Sequence, residues 1–317
     1  MLSRPSSTIA ILSRSDPDRL VGLVGAIMRQ SVLPTEILVI WNGPDAVPAL
    51  GAMSGVRLIR IPPHQFGHGR TRNLALRETS TEVLTLLSDD ACPADEHWLK
   101  ALLAPFVESS DISATFSRQV GDNDGSTDAM FRDIRYPATS FAIVLGKGRM
   151  LDLKRMPASN ASAAYKVHAL RDLGGFAEEL IASEDLAATI GLLDAGFRVW
   201  YAASSIVVHS HNYSFVDQVR RTFDITVSHR QIGQRYHVRL PHWWDGYGAL
   251  GMPLVRTFGA ESPRAALHVG AYVTARVAGI VLAKLSWLVP LAVIRWISGQ
   301  RWFYIGGKRS HSPNGGV

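Results

Sequence analysis

Short apolar runs alternate with helical stretches along the first third of the chain, and this alternation restricts the fold more than any other feature of the sequence. Each apolar run has the length of a strand and ends in polar or turn residues. The predicted strands are residues 8–13, 36–41, 56–61 and 83–87, and the predicted helices are residues 16–29 and 70–78. Apolar strands separated by helices indicate an α/β fold whose mostly parallel sheet is covered on both faces.

The residues that follow each predicted strand are the candidate ligand-binding residues, because open α/β sheets bind ligands at the carboxyl ends of their strands. Asp89 and Asp90 come just after the fourth strand. Neighbouring carboxylates suit a hard divalent cation such as Mg²⁺ or Mn²⁺, which bridges protein carboxylates to substrate phosphates. An isolated Asp-Asp pair more often caps a turn or the next helix, so the pair alone leaves both interpretations open.

Two later clusters also carry reactive side chains. Glu184 and Asp185 begin the predicted helix 184–195, where a carboxylate can act as a general base. Acidic residues are also common at helix starts, because the positive end of the helix dipole stabilises their negative charge. His209 follows the apolar run 206–208 and offers an imidazole to a transition metal, although a lone histidine at a strand end is more often structural. The sequence has no HExxH or CxxC pattern, which disfavours a zinc hydrolase.

The net charge of +6 comes from the C-terminal part of the chain. Residues 232–317 contain ten Lys and Arg against two acids, and they contain five of the eight tryptophans, Trp243, Trp244, Trp287, Trp296 and Trp302. Cations interleaved with tryptophan are typical of surfaces that bind nucleic acid or an anionic membrane. The apolar run 277–294 favours the membrane, and the slightly acidic remainder of the chain disfavours nucleic acid.

The apolar run is a borderline membrane span. Lys284 lies near its middle, and Pro290 is expected to kink a helix predicted over residues 265–298. An interfacial or re-entrant helix is therefore preferred to a full span of about 20 apolar residues. A core helix or a dimer contact is the third interpretation.

Four segments, taken in order, resemble the family 2 glycosyltransferases of the GT-A fold, and the resemblance covers residues 8–215. They are ILVIWNGPDA, GHGRTRNLAL, LLSDDACPADEHWL and the long run from Asn160 through Gly174-Gly175-Phe176 and Glu184-Asp185 to His209. Within the family, the HGRTRNLA and HSHNYSF segments are most similar to bacterial rhamnosyltransferases of surface polysaccharide assembly. The resemblance implies a Rossmann-like GT-A domain followed by a helical, membrane-associated extension.

The resemblance also implies domain limits and residue roles. Residues 1–225 form the catalytic domain, with a nucleotide-binding half (1–115) and an acceptor half (116–225), and residues 226–317 form the extension. Asp90 and His209 hold a divalent cation, Mg²⁺ or Mn²⁺, and Asp185 is the general base with Glu184 beside it. The residues implied to bind the nucleotide sugar are Ser13, Asn42, Arg72, Asp89 and Asn160. Ser88 departs from the family pattern, which usually has an aspartate there.

The implied activity is inverting transfer of a sugar from a nucleoside diphosphate sugar to a hydroxyl of a lipid-linked oligosaccharide. Cys92 is the single cysteine, which excludes an intramolecular disulfide and indicates a reducing compartment. Together with the basic extension, this places the protein on the cytoplasmic face of the bacterial inner membrane, with a homodimer as a further expectation.

Two other functions stay open from the sequence. Ser88 leaves room for a catalytically impaired, sugar-binding or scaffold subunit of a membrane assembly complex. A sugar nucleotidyltransferase is disfavoured, because residues 13–16 contain no glycine after the first strand.

Overall fold

A computed structural model describes residues 4–304 apart from residues 15, 44–49, 51–52, 122–131, 133–134, 151–155, 210, 212 and 240–262. The chain divides into two compact units. Unit 1 comprises Met1–Leu145, Lys154–Glu179 and Glu184–Ser210, and unit 2 comprises Gly146–Leu153, Leu180–Ser183 and His211–Val317. The predicted domain boundary after residue 225 stays a prediction.

Unit 1 is built on one mixed sheet. Its strands are β1 (Ser7–Ser13), β2 (Glu36–Trp41), β3 (Val56–Arg60), β4 (Val83–Ser88), β5 (Cys92–Pro93), β6 (Ile112–Val120), β7 (Phe141–Ile143), β8 (Ser162–Lys166) and β9 (Arg198–Val208). The strand order is β3-β2-β1-β4-β8-β6-β9-β5, and β7 also pairs with β9. Strands β3, β2, β1 and β4 are mutually parallel, as the alternation of apolar runs and helices predicts.

Among the described residues of unit 1, the helices are α1 (Pro17–Met28), α2 (His68–Glu78), α3 (Trp98–Glu108), α4 (Val167–Asp172) and α5 (Glu184–Asp194). Leu20 and Ile27 of α1 and Trp98 of α3 are buried in one core cluster with side chains of β1 and β2. Asp16 accepts a hydrogen bond from the backbone N–H of Arg19 and so caps the start of α1. The predicted α/β class with a GT-A sheet is confirmed.

The strand register places the candidate residues at one edge of the sheet. Leu12 pairs with Ser88, so Ser13 and Asp89 leave their strands at the same level. Ser13 also pairs with Trp41, which brings it beside Asn42. The side chains that follow β1, β2 and β4 therefore converge at the carboxyl edge of the parallel strands.

Two elements differ from the pattern in the sequence. The apolar run 206–208 is the end of the longer strand β9, in which a register shift against β6 after Ser117 accommodates residues that do not pair. The helix predicted over residues 265–298 is interrupted. Pro290 caps the second of two helices, since proline lacks the N–H that a continuous helix would need.

Unit 2 contains α6 (Phe215–Arg235), α7 (Pro263–Lys284) and α8 (Leu291–Ile297), with short 3₁₀ turns at Ser286–Leu288 and Arg301–Tyr304. Its core includes Phe223 of α6, Ala283 of α7, Ile297 of α8 and Tyr304. Among the described residues, one stretch, Ala266–Lys284 of α7, is long and apolar enough to cross a membrane by length and composition, with mean hydropathy 1.5. Trp243 and Trp244 lie outside the described residues.

Candidate active site

A cleft of about 210 Å³ opens at the carboxyl edge of the parallel strands of unit 1. The ends of β1 and β4 and the residues just after β1, β2 and β4 supply most of its lining, and α2 supplies His68 and Arg72. Six of the predicted site residues line this cleft: Ser13, Asn42, Arg72, Asp89, Asp90 and Asn160. A second hollow, of about 620 Å³, lies around Glu36, Arg57 and Glu78. It is larger, but its arginine is already bonded to both glutamates, so the smaller cleft is the better candidate site.

The strand-end residues are ordered by hydrogen bonds to one another. Ser13 donates its hydroxyl to Asp89 Oδ2 over 2.7 Å, and the N–H of Asn42 donates to the carbonyl of Ser13 over 3.0 Å. Burial raises the pKa of Asp89, and the hydrogen bond from Ser13 opposes that increase. The turn after β4 is therefore held against the end of β1, which fixes the floor of the cleft.

Asp90 and His209 lie close enough to share one cation. Asp90 Oδ1 is 3.3 Å from His209 Nε2, and the imidazole is buried. The pairing of Cys92 with Val208 between antiparallel strands explains why they are close. Asp90 lies just before Cys92, and His209 lies just after Val208, so both leave the sheet at the same place. The two predicted metal ligands are thus brought together, although they are more than a hundred residues apart in sequence.

Two buried residues that sequence reasoning missed orient His209. His209 Nδ1 lies 2.8 Å from Gln119 Oε1, an acceptor, and 3.0 Å from Arg132 Nη1, a donor. When Nδ1–H donates to Gln119, Nε2 presents its lone pair towards Asp90; in the other tautomer, Nε2–H donates to that carboxylate. Orientation of the second ring nitrogen by a buried oxygen is typical of metal-ligating histidines.

The donor set fits a divalent cation. Asp90, which lines the cleft, offers a carboxylate oxygen, and the adjoining His209 offers an imidazole nitrogen; both are groups that bind divalent cations. Ser88, at the position of the usual first aspartate, also lines the cleft.

Glu184 and Asp185 occupy different environments at the start of α5. Glu184 is 4% exposed, and its Oε1 lies 2.5 Å from Arg72 Nη1 and accepts a hydrogen bond from Asn160 Nδ2 over 3.2 Å. Asp185 is partly exposed and accepts hydrogen bonds from the backbone N–H groups of Asn160 and Leu186. Glu184 therefore has a fixed countercharge, and Asp185 is the more exposed of the two carboxylates.

Asn160 is the junction of this arrangement. Its backbone N–H binds Asp185, its side-chain amide binds Glu184, and its Oδ1 accepts the hydroxyl of the fully buried Tyr165. Tyr165 lies on β8 and was not singled out by sequence reasoning. The resemblance placed Asn160 near the sugar or the acceptor, and the structure places it between the cleft and both carboxylates.

The pKa values of the two carboxyl groups move in opposite directions. Burial would raise the pKa of Glu184, but the charges of Arg72 and His68 outweigh burial and hold that pKa below its usual value. Burial, together with the negative charge of Glu184, raises the pKa of Asp185 to about 6. The positive charge of Arg72 lowers this pKa but does not offset the increase. A carboxylate with a pKa near the working pH is suited to general base catalysis.

The chain belongs to the Glycosyl transferase family 2, whose sequence profile matches residues 8–174. It is 32% identical over 211 residues to an O-antigen chain rhamnosyltransferase, RfbN, of Salmonella typhimurium. It is 28% identical over 207 residues to the O-antigen chain rhamnosyltransferase WbaN of Salmonella anatum. These matches cover 65% and 64% of this chain, and 67% and 65% of the respective relatives, so the chain spans about two-thirds of their length.

A solved structure supports the fold. A mannosyltransferase from Pyrobaculum calidifontis, in complex with GDP-Man and Mn²⁺, superimposes with a TM-score of 0.56 at 17% identity. The match covers 95% of this chain and 85% of that one. At this identity the likeness establishes the fold alone, and it confirms the fold that the sequence predicted.

Proposed function

We propose that this protein transfers a rhamnosyl residue from a nucleoside diphosphate rhamnose to a hydroxyl of a lipid-linked oligosaccharide, with inversion at the anomeric carbon. The observation that carries the proposal is the difference between the two carboxylates at the start of α5. Glu184 forms a buried ion pair with Arg72, whereas Asp185 is partly exposed and has a raised pKa. The names of the two Salmonella relatives support rhamnose as the sugar and an O-antigen type of acceptor.

In the proposed reaction, Asp185 accepts the proton of the acceptor hydroxyl while the oxygen attacks the anomeric carbon from the face opposite the diphosphate. A single displacement of this kind inverts the carbon and needs no protein nucleophile. Ser13, Asn42, Arg72 and Asp89 line the cleft, and we assign them to the donor. A divalent cation held by Asp90 and His209 would neutralise the negative charge that develops on the departing diphosphate.

The catalytically impaired alternative rests on Ser88 alone. The convergence of Asp90, His209 and the ordered carboxylates of α5 supports an enzyme instead. The proposed setting is the cytoplasmic face of a bacterial inner membrane, supported by the basic, tryptophan-rich C-terminal sequence. The homodimer and the domain boundary at residue 225 stay predictions.

A donor screen tests the proposal and its cation. We expect a nucleoside diphosphate rhamnose, among a panel of nucleotide sugars, to give release of the nucleoside diphosphate in the presence of Mn²⁺. Chelation with EDTA, or the substitution Asp90→Ala, should reduce release by at least about 10–100-fold, the loss that follows when only an outer-shell partner of a metal ligand is removed. Asp95→Ala, an exposed carboxylate nearby in sequence, is the control. Undiminished release after chelation would exclude the cation, and no release from any donor would favour the impaired subunit.

The pH dependence of kcat provides a separate test of Asp185. Since the base must be ionised, we expect kcat to fall as the pH drops through about 6, the raised pKa of Asp185. The substitution Glu184→Gln removes a negative charge that raises this pKa, so the acidic limb should move to lower pH. An acidic limb that stays in place in E184Q would assign the titration to another group.

A further inference from the structure

Five large apolar side chains are exposed within a stretch of twelve residues at the end of unit 2, and we call them the apolar ridge. They are Leu285, Trp287, Leu288, Val293 and Trp296. Trp287 is 56% exposed and Trp296 is 67% exposed. Single exposed apolar side chains are ordinary, but five large ones within twelve residues indicate a surface that is covered in use.

The side chains of the apolar ridge are not the ones that α8 contributes to the core of unit 2. Ile294 and Ile297, on the other side of α8, are buried in the core of unit 2 with Tyr304. Val293 and Trp296 are three residues apart, so they share the outer face of the same helix. The helix therefore has its own core contacts, and the ridge is an additional apolar surface.

The charges around the ridge favour an anionic occupant. Residues 263–304 contain five Lys and Arg and no Asp or Glu. Lys284 and Arg301, both exposed, flank the ridge in sequence on its two sides. Each Lys or Arg near an anionic bilayer adds to the electrostatic attraction. Tryptophan is the side chain most enriched, together with tyrosine, at the boundary between headgroups and hydrocarbon.

The packing of α7 argues against a membrane span. Gly279 of α7 lies so close to α6 that an added Cβ would collide with Val219 and Thr222. A spanning α7 would therefore take α6 with it into the hydrocarbon. The charged side chains of α6 include Asp217, Arg220, Arg221, Asp224, Arg230 and Arg235. An Arg or Asp at the bilayer centre is strongly unfavourable, so this pair of helices stays outside the hydrocarbon.

We propose that the apolar ridge inserts into the headgroup region of an anionic bilayer, with Lys284 and Arg301 against the lipid phosphates, while α7 remains packed on α6. The protein is then attached to one leaflet, and α7 does not cross the bilayer. This proposal specifies which surface contacts the membrane and how it does so. It rests on the proposed function, which places the protein at a bacterial inner membrane.

Vesicle sedimentation of the full chain tests the ridge without donor or acceptor, so its failure is distinct from a failure of sugar transfer. We expect binding to vesicles of phosphatidylcholine with phosphatidylglycerol and much weaker binding to phosphatidylcholine alone. The double substitution Trp287→Ser and Trp296→Ser should reduce the partition coefficient about tenfold or more, since two large apolar groups no longer leave water. Leu267→Ser, at a position 71% exposed on α7 but outside the ridge, should bind as wild type does.

Three results would overturn the proposal. The first is wild-type binding by the double variant with an unchanged thermal midpoint, and the second is equal binding to neutral vesicles. The third is retention of the protein in membranes after alkaline carbonate extraction, which would mean a span. If the double substitution instead converts a dimer to a monomer and leaves vesicle binding unchanged, the ridge contacts a second copy of the chain, which also refutes the bilayer.

Discussion

Replacing Asp185 with asparagine is expected to lower kcat for sugar transfer by about 10²–10⁴-fold, the usual contribution of a general base. The amide keeps the size of the side chain. It can accept only one of the two backbone N–H bonds, because Asn160 and Leu186 donate to different carboxylate oxygens. It cannot take a proton from the acceptor hydroxyl. The Kd of the nucleotide sugar should change little, because Asp185 is not among the side chains that line the donor cleft.

The matched control is Asp194→Asn at the other end of the same helix. Asp194 is exposed, so its loss should leave kcat and the thermal midpoint close to wild type. Initial rates at saturating donor and acceptor, with donor binding measured by calorimetry, separate the two effects. Equal transfer by D185N and wild type would remove Asp185 from the reaction, and a parallel loss of donor binding would assign it to the donor site.

The carboxyl edge of the parallel strands was predictable because it depends on local patterns. Each apolar run marks a buried strand, and the residue after the run must lie at the same edge as its neighbours in a parallel sheet. Ser13, Asn42 and Asp89 converge for this reason. The register itself needed the structure, since a run of uniformly apolar residues does not show which position pairs with which.

The contacts that tune the site were not predictable from local patterns. Gln119 and Arg132 reach His209 from 90 and 77 residues away, and neither is part of a recognisable motif. The resemblance placed Arg72 near the nucleotide, and the structure adds its buried ion pair with Glu184. Pairing of this kind is decided by tertiary packing, which brings the start of α2 to the start of α5.

Arg72 is therefore expected to have a large effect on stability. In the variant Arg72→Leu, Glu184 would stay buried without its countercharge, which costs about 3–5 kcal/mol for a broken buried pair. Arg72 and Glu184 have side-chain exposures of 13% and 5%, so water can replace little of the lost interaction. At roughly 2–4 °C for each kcal/mol, the thermal midpoint should fall by about 6–20 °C.

Arg70→Leu on the same helix is the control, because Arg70 is 58% exposed and lies 3.7 Å from the 43% exposed Glu178. An exposed pair contributes about 0–1 kcal/mol, so this midpoint should move by only a few degrees. The double variant Arg72→Met and Glu184→Met should recover most of the stability lost in R72L, since an apolar replacement leaves no buried charge. If R72L were as stable as R70L, Glu184 would have to be neutral or solvated in the folded protein, and the raised pKa of Asp185 would lose one of its causes.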